Sequence, residues 1–185
     1  MVGPRQALAA CVLVASTGAL AESFEVTGSC RDGLPNGNYE LRMPDGSLRV
    51  VGAFAHGRKT GTFIFWTDSG ARIAVIPYDE DARSGTVALW YVAPEARIEK
   101  GRRLEAPYVA DRLHGVVRSW YPNGVPRGQY RYEHGQLVDV RAWTDAASVL
   151  PDAEAASSAL REAEADQRFV DDLLAMVYRH PPHCD

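Results

Sequence analysis

Short runs of apolar residues alternate with polar, glycine-containing turns along most of this chain. In one representative stretch, Thr62–Trp66 is rich in β-branched and aromatic residues, Thr67–Gly70 is a polar turn, and Ala71–Tyr78 is a second apolar run. Runs of this length joined by a short glycine turn are typical of β-hairpins. The polar segment Asp79–Ser84 then leads into the next hairpin, so the pattern predicts hairpins that follow one another along the chain.

The hairpin pattern recurs with a nearly constant period. Its opening residues are spaced 24, 24, 30 and 24 residues apart, and every tryptophan of the chain stands four or five residues after an opener. A second aromatic slot lies seven residues before each of the last four openers. The openers are Gly37, Gly61, Gly85, Gly115 and Asp139; the tryptophans are Trp66, Trp90, Trp120 and Trp143; the second slot holds Phe54, Tyr78, Tyr108 and Tyr132. A fixed period of this size indicates a repeat array.

The alternation of side chains along a strand assigns the repeated residues to faces. Phe63 and Phe65 share one face of their strand, and Trp66 belongs to the other face, where the tryptophans should form a ladder. A hairpin alone is marginal in water, and contacts between neighbouring units stabilise it. We therefore predict an all-β repeat array of antiparallel hairpins over 36–146, arranged as a single-layer sheet and preceded by an N-terminal segment, 22–35.

The period ends after Trp143, and the pattern becomes helical. Apolar residues recur at helical spacing over 152–180, with Asp152 as the expected cap and Pro181-Pro182 as the stop signal. The predicted apolar stripe consists of Ala156, Leu160, Ala163, Val170, Leu174 and Val177. This pattern predicts a C-terminal amphipathic α-helix that covers one face of the sheet, followed by a short tail, 181–185.

The first 21 residues have the pattern of a secretory signal peptide. Arg5 precedes an apolar core at 7–14, and Ala19-Leu20-Ala21 forms a small-residue cleavage site. Cleavage after Ala21 predicts a periplasmic or secreted protein. An alternative is that Leu8–Cys11 acts as a lipobox, in which case Cys11 would be acylated.

Removal of the signal peptide leaves two cysteines, Cys30 and Cys184. An even pair in an exported protein favours a disulfide bond, which would tie the start of the sheet to the end of the chain. Two alternatives remain from sequence. The thiols could stay unpaired, or His180 and His183 could join them in a tetrahedral zinc site.

Charge and motifs narrow the function classes. The formal net charge is −4, and the tail from residue 151 carries 3 basic against 8 acidic side chains. Nucleic-acid binding requires a basic footprint, so the charge excludes a nucleic-acid-binding protein. A membrane-surface helix favours basic residues, so the acidic C-terminal segment disfavours one. The chain contains no nucleophile elbow, phosphate loop or zinc-protease motif. We interpret His56, His114 and His134 as turn residues and expect no enzyme, no cofactor and no metal.

Several segments together resemble a known repeat. Gly61–Gly70, Gly115–Gly124, Tyr132–Gly135 and Phe54–Gly61 resemble the bacterial MORN-type repeat, in the variant found in YwqK-like antitoxin proteins. The resemblance covers about residues 36–144. It implies a fold of stacked hairpins and a role as a scaffold or partner-binding module, and some relatives suggest an antitoxin or a membrane-associated protein.

The function we expect from the sequence is an exported, non-catalytic binding protein that engages a protein partner through its sheet. An antitoxin or immunity protein that neutralises a toxin and an envelope-associated membrane-binding module are the alternatives. The third unit is longer than the others and has Pro94 in place of the turn glycine, so it is expected to project. The candidate contact residues are Phe63, Phe65, Leu89, Arg102 and Arg103, unless the helix covers their face and leaves the tryptophan column to the partner.

Overall fold

A computed structural model describes residues 24–92 and 99–184 and shows one open antiparallel sheet with a helix packed on one face. This architecture confirms the predicted hairpin array with a C-terminal helix. The predicted signal peptide and Pro94, at the tip of the third hairpin, lie outside the described residues. Within them the chain forms twelve strands and one helix: β1 Glu25–Arg31, β2 Leu34–Arg42, β3 Leu48–Ala55, β4 Arg58–Trp66, β5 Arg72–Asp79, β6 Ala82–Arg83, β7 Gly85–Val92, β8 Glu99–Val109, β9 Arg112–Leu113, β10 Gly115–Trp120, β11 Pro126–Glu133, β12 Gln136–Ala142 and α1 Asp152–Arg179.

The strands follow one another across the sheet in chain order. The order is β1-β2-β3-β4-β5-β7-β8-β10-β11-β12, with the short β6 beside β5 and the short β9 beside β8. All pairs are antiparallel, as a series of hairpins requires. The sheet begins at Glu25, so β1 and the start of β2 lie within the 22–35 segment that was predicted to precede the array.

The opening glycines have conformations that explain their recurrence. Gly61, Gly85 and Gly115 have φ values of 67°, 117° and 114°. A Cβ atom at Gly85 would lie 2.9 Å from Cγ of Pro77, and one at Gly115 would lie 3.0 Å from Cγ of Pro107. Residues with a side chain rarely adopt such φ values, so the backbone conformation favours glycine at all three positions. At Gly85 and Gly115 the neighbouring proline also leaves no room for a Cβ atom.

A β-bulge recurs beside the tryptophan slot. The pairing shifts between Leu41 and Arg42, Phe65 and Trp66, Leu89 and Trp90, and Ser119 and Trp120. Each shift leaves one extra residue on the following strand. These bulge residues are Arg49, Ile73, Arg103 and Arg127. A bulge re-aims a side chain, and Ile73, Arg103 and Arg127 accordingly contact the core or the helix.

The hydrophobic core lies between the sheet and α1. Phe54, Phe63 and Tyr78 make edge-to-face contacts with centroid distances of 5.5–5.6 Å, and Tyr39 extends the series. The second aromatic slot of the repeat therefore lies in or against the core. Aromatic pairs of this geometry stabilise a core beyond the area they bury.

The helix is present where predicted, but its buried face is rotated. Residues Ala155, Ser158, Ala159, Glu162, Val170, Leu173 and Val177 are buried. Val170 and Val177 confirm part of the predicted stripe, whereas Leu160 is 60% exposed, so its placement against the sheet was wrong. The predicted cap was also wrong: Asp152 is the first helical residue, and Pro151 occupies the N-cap position without a side-chain hydrogen bond.

A disulfide bond joins Cys30 in β1 to Cys184 in the tail, which confirms the predicted pairing. The two Cα atoms are 5.6 Å apart, and the bond spans 154 residues of sequence. The tail also packs on β1, because a Cβ at Gly28 would lie 2.8 Å from Cγ of Pro182. The end of the chain is thus fixed against the first strand.

The helix gives no sign of a membrane span. Over the residues that the structure describes, no helix is both long enough and apolar enough to cross a bilayer. The exposed side of α1 carries charged residues such as Glu154, Arg161 and Glu164.

We expect deletion of 152–185 to expose the core face of the sheet. Phe63, Phe65 and Leu89 are 0% exposed in the intact chain and would lose their cover. Soluble proteins rarely leave an apolar patch of that size bare, so the truncated protein should bind a hydrophobic dye and aggregate. Dye fluorescence and light scattering measure both effects. Full-length Cys184→Ser is the matched control for the lost disulfide, and a truncated protein that stayed monomeric and equally stable would contradict the assignment of faces.

Candidate partner-binding face

The helix covers only one face of the sheet. The opposite face carries Trp66, Trp90, Trp120 and Trp143, each next to a residue buried on the helix side, such as Phe65. We call this surface the tryptophan face. In the described part of the chain, no helix or strand packs across it. It is therefore the surface that the fold leaves open.

Arginines separate the tryptophans on this face. The guanidinium carbons of Arg72 and Arg102 lie 4.2 and 4.6 Å from the ring centroid of Trp90. Cation–π contacts of this kind attract the charge to the aromatic ring. Trp90 is consequently only 8% exposed. The predicted ladder is thus confirmed as a shared face, but among the described rings the tryptophans do not stack on one another.

A concavity on this face lies between the last two tryptophans. Trp120 and Trp143 border a depression of about 170 Å³ with Arg118, Pro126 and Gln129. Both indole rings are half-buried, and Arg118 and Gln129 are exposed. The depression offers apolar ring surface, a guanidinium and a side-chain amide within one site. Tryptophan and arginine are the residues most enriched at the energetic centres of protein interfaces.

Basic side chains outnumber acidic ones around the depression between Trp120 and Trp143. Arg118 and Arg141 are exposed there, beside the two arginines on Trp90. Glu105 and Asp139 are acids on the same face: Glu105 is held by Arg102 in an ion pair of 2.7 Å, and Asp139 lies opposite Arg131 in the sheet. This part of the face therefore differs in sign from the chain as a whole, whose net charge is −4. A surface of this kind complements an acidic one.

Three of the predicted contact residues do not lie on an open surface. Phe63, Phe65 and Leu89 are 0% exposed beneath the helix. Their apolar side chains stabilise the core, so the prediction of a contact surface at these positions was wrong. Because α1 covers their face, the tryptophan column becomes the candidate surface.

Arg102 and Arg103 are brought to opposite faces of the sheet. Both lie within β8 and form part of the sheet body, so they do not belong to a projecting loop. Arg102 stacks on Trp90 on the tryptophan face. Arg103 is the bulge residue, and its guanidinium pairs with Asp166 of the helix and lies 5.0 Å from the ring of Phe169. Only Arg102 remains a candidate contact residue.

The sequence patterns missed a polar cluster under the helix. Glu162 is 6% exposed and accepts hydrogen bonds from Ser119, Tyr130 and Ser158 at 2.5, 2.7 and 3.1 Å. Arg127 adds an ion pair at 3.1 Å. Burial and the adjacent carboxylate raise the pKa of Tyr130 above its ordinary value. A charged residue on the buried side of the helix gives no apolar signal. The three hydroxyl donors and the Arg127 guanidinium are what make the burial of Glu162 possible.

A neighbouring pair extends this cluster along the helix. Asp166 is one turn after Glu162 and pairs with Arg103. Burial raises the pKa of Asp166, although Arg103 acts in the opposite direction. All these groups have partners inside the fold, so the cluster is best understood as a polar seam that fixes the helix on the sheet.

A cleft of about 450 Å³ lies where the helix ends. Lys59 is 4% exposed at its side, and its Nζ donates to Asp81 at 2.5 Å and to the Tyr178 hydroxyl at 2.8 Å. Burial alone would lower the pKa of Lys59, but these hydrogen bonds raise it above its ordinary value. Lys59 also lies over the rings of Tyr78 and Tyr178. The lysine is thus a fixed part of the junction between sheet and helix.

The histidines lie between strands of the sheet and in the tail. His56 and His134 have φ values of 50° and 52°, which confirms that they are turn residues. His114 and His134 do meet, with ring centroids 5.0 Å apart, which sequence spacing had not predicted. The structure describes no group of three or more metal-binding side chains. The zinc alternative at the tail is also contradicted, because Cys30 and Cys184 are bonded to each other.

Comparisons with known proteins add no family. The chain matches no protein-family model, and no curated protein matches it at a significant level. The resemblance to the MORN-type repeat therefore stays a prediction.

Proposed function

We propose that this chain is an exported, non-catalytic binding protein whose tryptophan face engages an acidic surface of a protein partner. The observation that carries the proposal is the depression between Trp120 and Trp143, which combines half-buried indoles with the exposed Arg118 on a face that no other described element covers.

Two features favour a protein partner of acidic character. The exposed Arg118 and Arg141 add positive charge to an otherwise acidic chain, and complementary charge steers partners together. The indoles of Trp120 and Trp143 lie at the centre of the patch, where buried aromatic anchors stabilise interfaces most. The repeat sheet supplies a rigid frame for both.

Export and a binding role are consistent with the remaining features. The disulfide between Cys30 and Cys184 is typical of proteins in oxidising compartments. The ionisable groups of the seam under the helix, Glu162 and Asp166, are engaged by protein side chains. They support a structural role for that cluster and favour a non-catalytic function.

Charge reversal on the tryptophan face tests the proposal. We expect Arg118→Glu with Arg141→Glu to reduce capture of a partner from a nuclease-treated envelope extract by more than about tenfold, because two attractions become repulsions. Quantitative mass spectrometry of the captured proteins provides the measurement. The matched control is Arg161→Glu with Arg168→Glu, which makes the same change of charge on exposed positions of the helix.

The outcomes separate the alternatives. A partner lost in the face variant and kept in the helix variant supports the proposal, and a toxin bound one to one would make the chain an antitoxin. Equal loss in both variants, or equal capture, would contradict a role for this face. The mass of the mature protein tests export, since cleavage after Ala21 leaves Glu22 as the first residue.

A further inference from the structure

The sheet ends in two edge strands, β1 and β12. The tail packs on a face of β1 through the Cys30–Cys184 disulfide and the contact of Pro182 with Gly28. At the other end, β12 is the last strand, and among the described residues it is joined on its outer side only at the single bridge between Trp143 and Val149. An edge strand presents unpaired backbone groups that can accept another strand.

The hydrogen bonds at the end of β12 show which groups point outward. The Trp143 N–H donates inward to the Arg127 carbonyl, and the Ala142 carbonyl accepts on the outer side from the Leu150 N–H. Successive residues of a strand direct their backbone groups to opposite sides. The N–H and C=O of Val140 therefore also point outward, before the bulge at Val138 alters the pattern.

The chain itself begins to fill the position beside β12 and then leaves it. Val149 bridges Trp143 in antiparallel fashion, and Leu150 makes the last of these backbone bonds. Pro151 and α1 follow directly and carry the chain onto the face of the sheet. The same position remains open beside Val140, so a strand placed there would continue the ladder that Val149 starts.

A groove runs along this open position. It encloses about 750 Å³, and its lining includes Leu137, Val138, Val140, Val149 and Ala156. Val138 is 45% exposed and Val149 is 73% exposed, so both side chains present apolar surface at the groove. The outward backbone groups and the apolar side chains therefore occur at the same site, which is the combination that binds an extended segment.

We propose that the outer edge of β12 binds an extended strand of the protein partner, which adds to the sheet through backbone hydrogen bonds at Val140. On the face of the sheet that the helix covers, side chains of the added strand contact Val140, and we expect them to be apolar. Residues on the tryptophan side meet Asp139 and Arg141 and are charged or polar. This inference rests on the proposed function, because it assigns a second contact to the same partner.

A second copy of this chain does not fit the edge in the same way. Antiparallel pairing of two β12 strands about Val140 would place Val138 of the copy beside Ala142. The Ala142 carbonyl already accepts from Leu150, whose backbone fills that position. A separate extended segment can pair with Val140 and end before it reaches Leu150. In a folded copy, β12 continues through Val138 into the position that Leu150 fills.

A photo-crosslinking residue tests this inference in the full-length exported protein. We expect p-benzoylphenylalanine at Val138 to form an adduct with a partner protein, and the same residue at Val109, a 57% exposed valine elsewhere, to form none. In a Val140→Pro background the adduct at 138 should fall by more than about tenfold, because proline removes an outward N–H and no ladder bond. The same crosslinking residue placed at Arg118 serves as the reference for contact between the partner and the tryptophan face.

Each outcome has a distinct meaning. An adduct at Arg118 with none at Val138 overturns the edge inference and keeps the proposed function, whereas no adduct at either position overturns both. A homodimer adduct at Val138 also overturns the inference. If Val140→Pro does not fold, amide hydrogen exchange of the wild-type chain, measured free and in its isolated complex, tests strand addition instead. Exchange at Val140 should slow on binding while Arg141 is already protected in the free chain, and an unchanged Val140 rate contradicts strand addition.

Discussion

Glu162→Ala should destabilise the protein by roughly 3–4 kcal/mol, because it removes the acceptor at the centre of the polar seam. Glu162 is buried and binds the hydroxyls of Ser119, Tyr130 and Ser158. The substitution leaves these donors without their acceptor and Arg127 without its counter-ion. Denaturant unfolding followed by circular dichroism measures the loss.

Two further variants separate the seam from a general effect of helix mutation. Glu164→Ala, on the exposed side of the same helix, should change stability by less than about 0.5 kcal/mol. Glu162→Gln keeps the size of the side chain and one carbonyl acceptor, so it should lower the free energy of unfolding less than Glu162→Ala does. Equal, small losses for Glu162→Ala and Glu164→Ala would contradict the view that the seam fixes the helix.

Cys30→Ser with Cys184→Ser should lower the free energy of unfolding by roughly 4–5 kcal/mol under the chain-entropy model. The disulfide closes a loop with a sequence separation of 154 residues, and its loss allows the unfolded chain many more conformations. The tail should also detach from β1, which would free Pro182 from Gly28. Thermal and urea unfolding of oxidised and variant protein provide the measurement.

The wild-type chain under reducing conditions is the control for the double variant. Reduced wild type should match Cys30→Ser with Cys184→Ser, because both lack the bond and keep similar side-chain volumes. A loss below about 1 kcal/mol in both samples would show that the native tail or the unfolded state compensates for the bond.

The regular part of the fold could be predicted from the sequence because each repeat is specified locally. Turn glycines such as Gly70, with a φ of 84°, and the β-branched and aromatic run Thr62–Trp66 define a hairpin within about 24 residues. Cys30 and Cys184 could be paired because they were the two cysteines left after the predicted cleavage. These signals need no knowledge of distant contacts.

The helix orientation could not be predicted because it depends on the bulges. The predicted apolar stripe that includes Leu160 fits helical periodicity, yet Leu160 is exposed and Glu162 is buried. Bulges direct Arg103 and Arg127 toward the helix, where they pair with Asp166 and Glu162. Helical periodicity considers only apolar residues and gives no weight to a buried ion pair. The predicted buried face was therefore displaced by about one residue from the observed one.

The candidate site was only partly accessible to sequence reasoning for the same reason. The tryptophans could be assigned to one face, but the identity of the covered face depended on the helix. Phe63 and Leu89 proved to be core residues, and Arg102 and Arg103 were separated by the bulge. The exposed depression at Trp120 arises from the spacing of two adjacent hairpins, which a single repeat does not contain.

Hydroxyl-radical footprinting of the free chain and of its captured complex tests the central claim most directly, namely that the helix closes one face and the partner binds the other. We predict that Trp120, Trp143 and Arg118 react in the free chain and become protected in the complex. Leu160 and Tyr178, which are 60% and 63% exposed on the helix, should react equally in both. Protection of Leu160 and Tyr178 with unchanged reactivity of Trp120 and Trp143 would contradict the account.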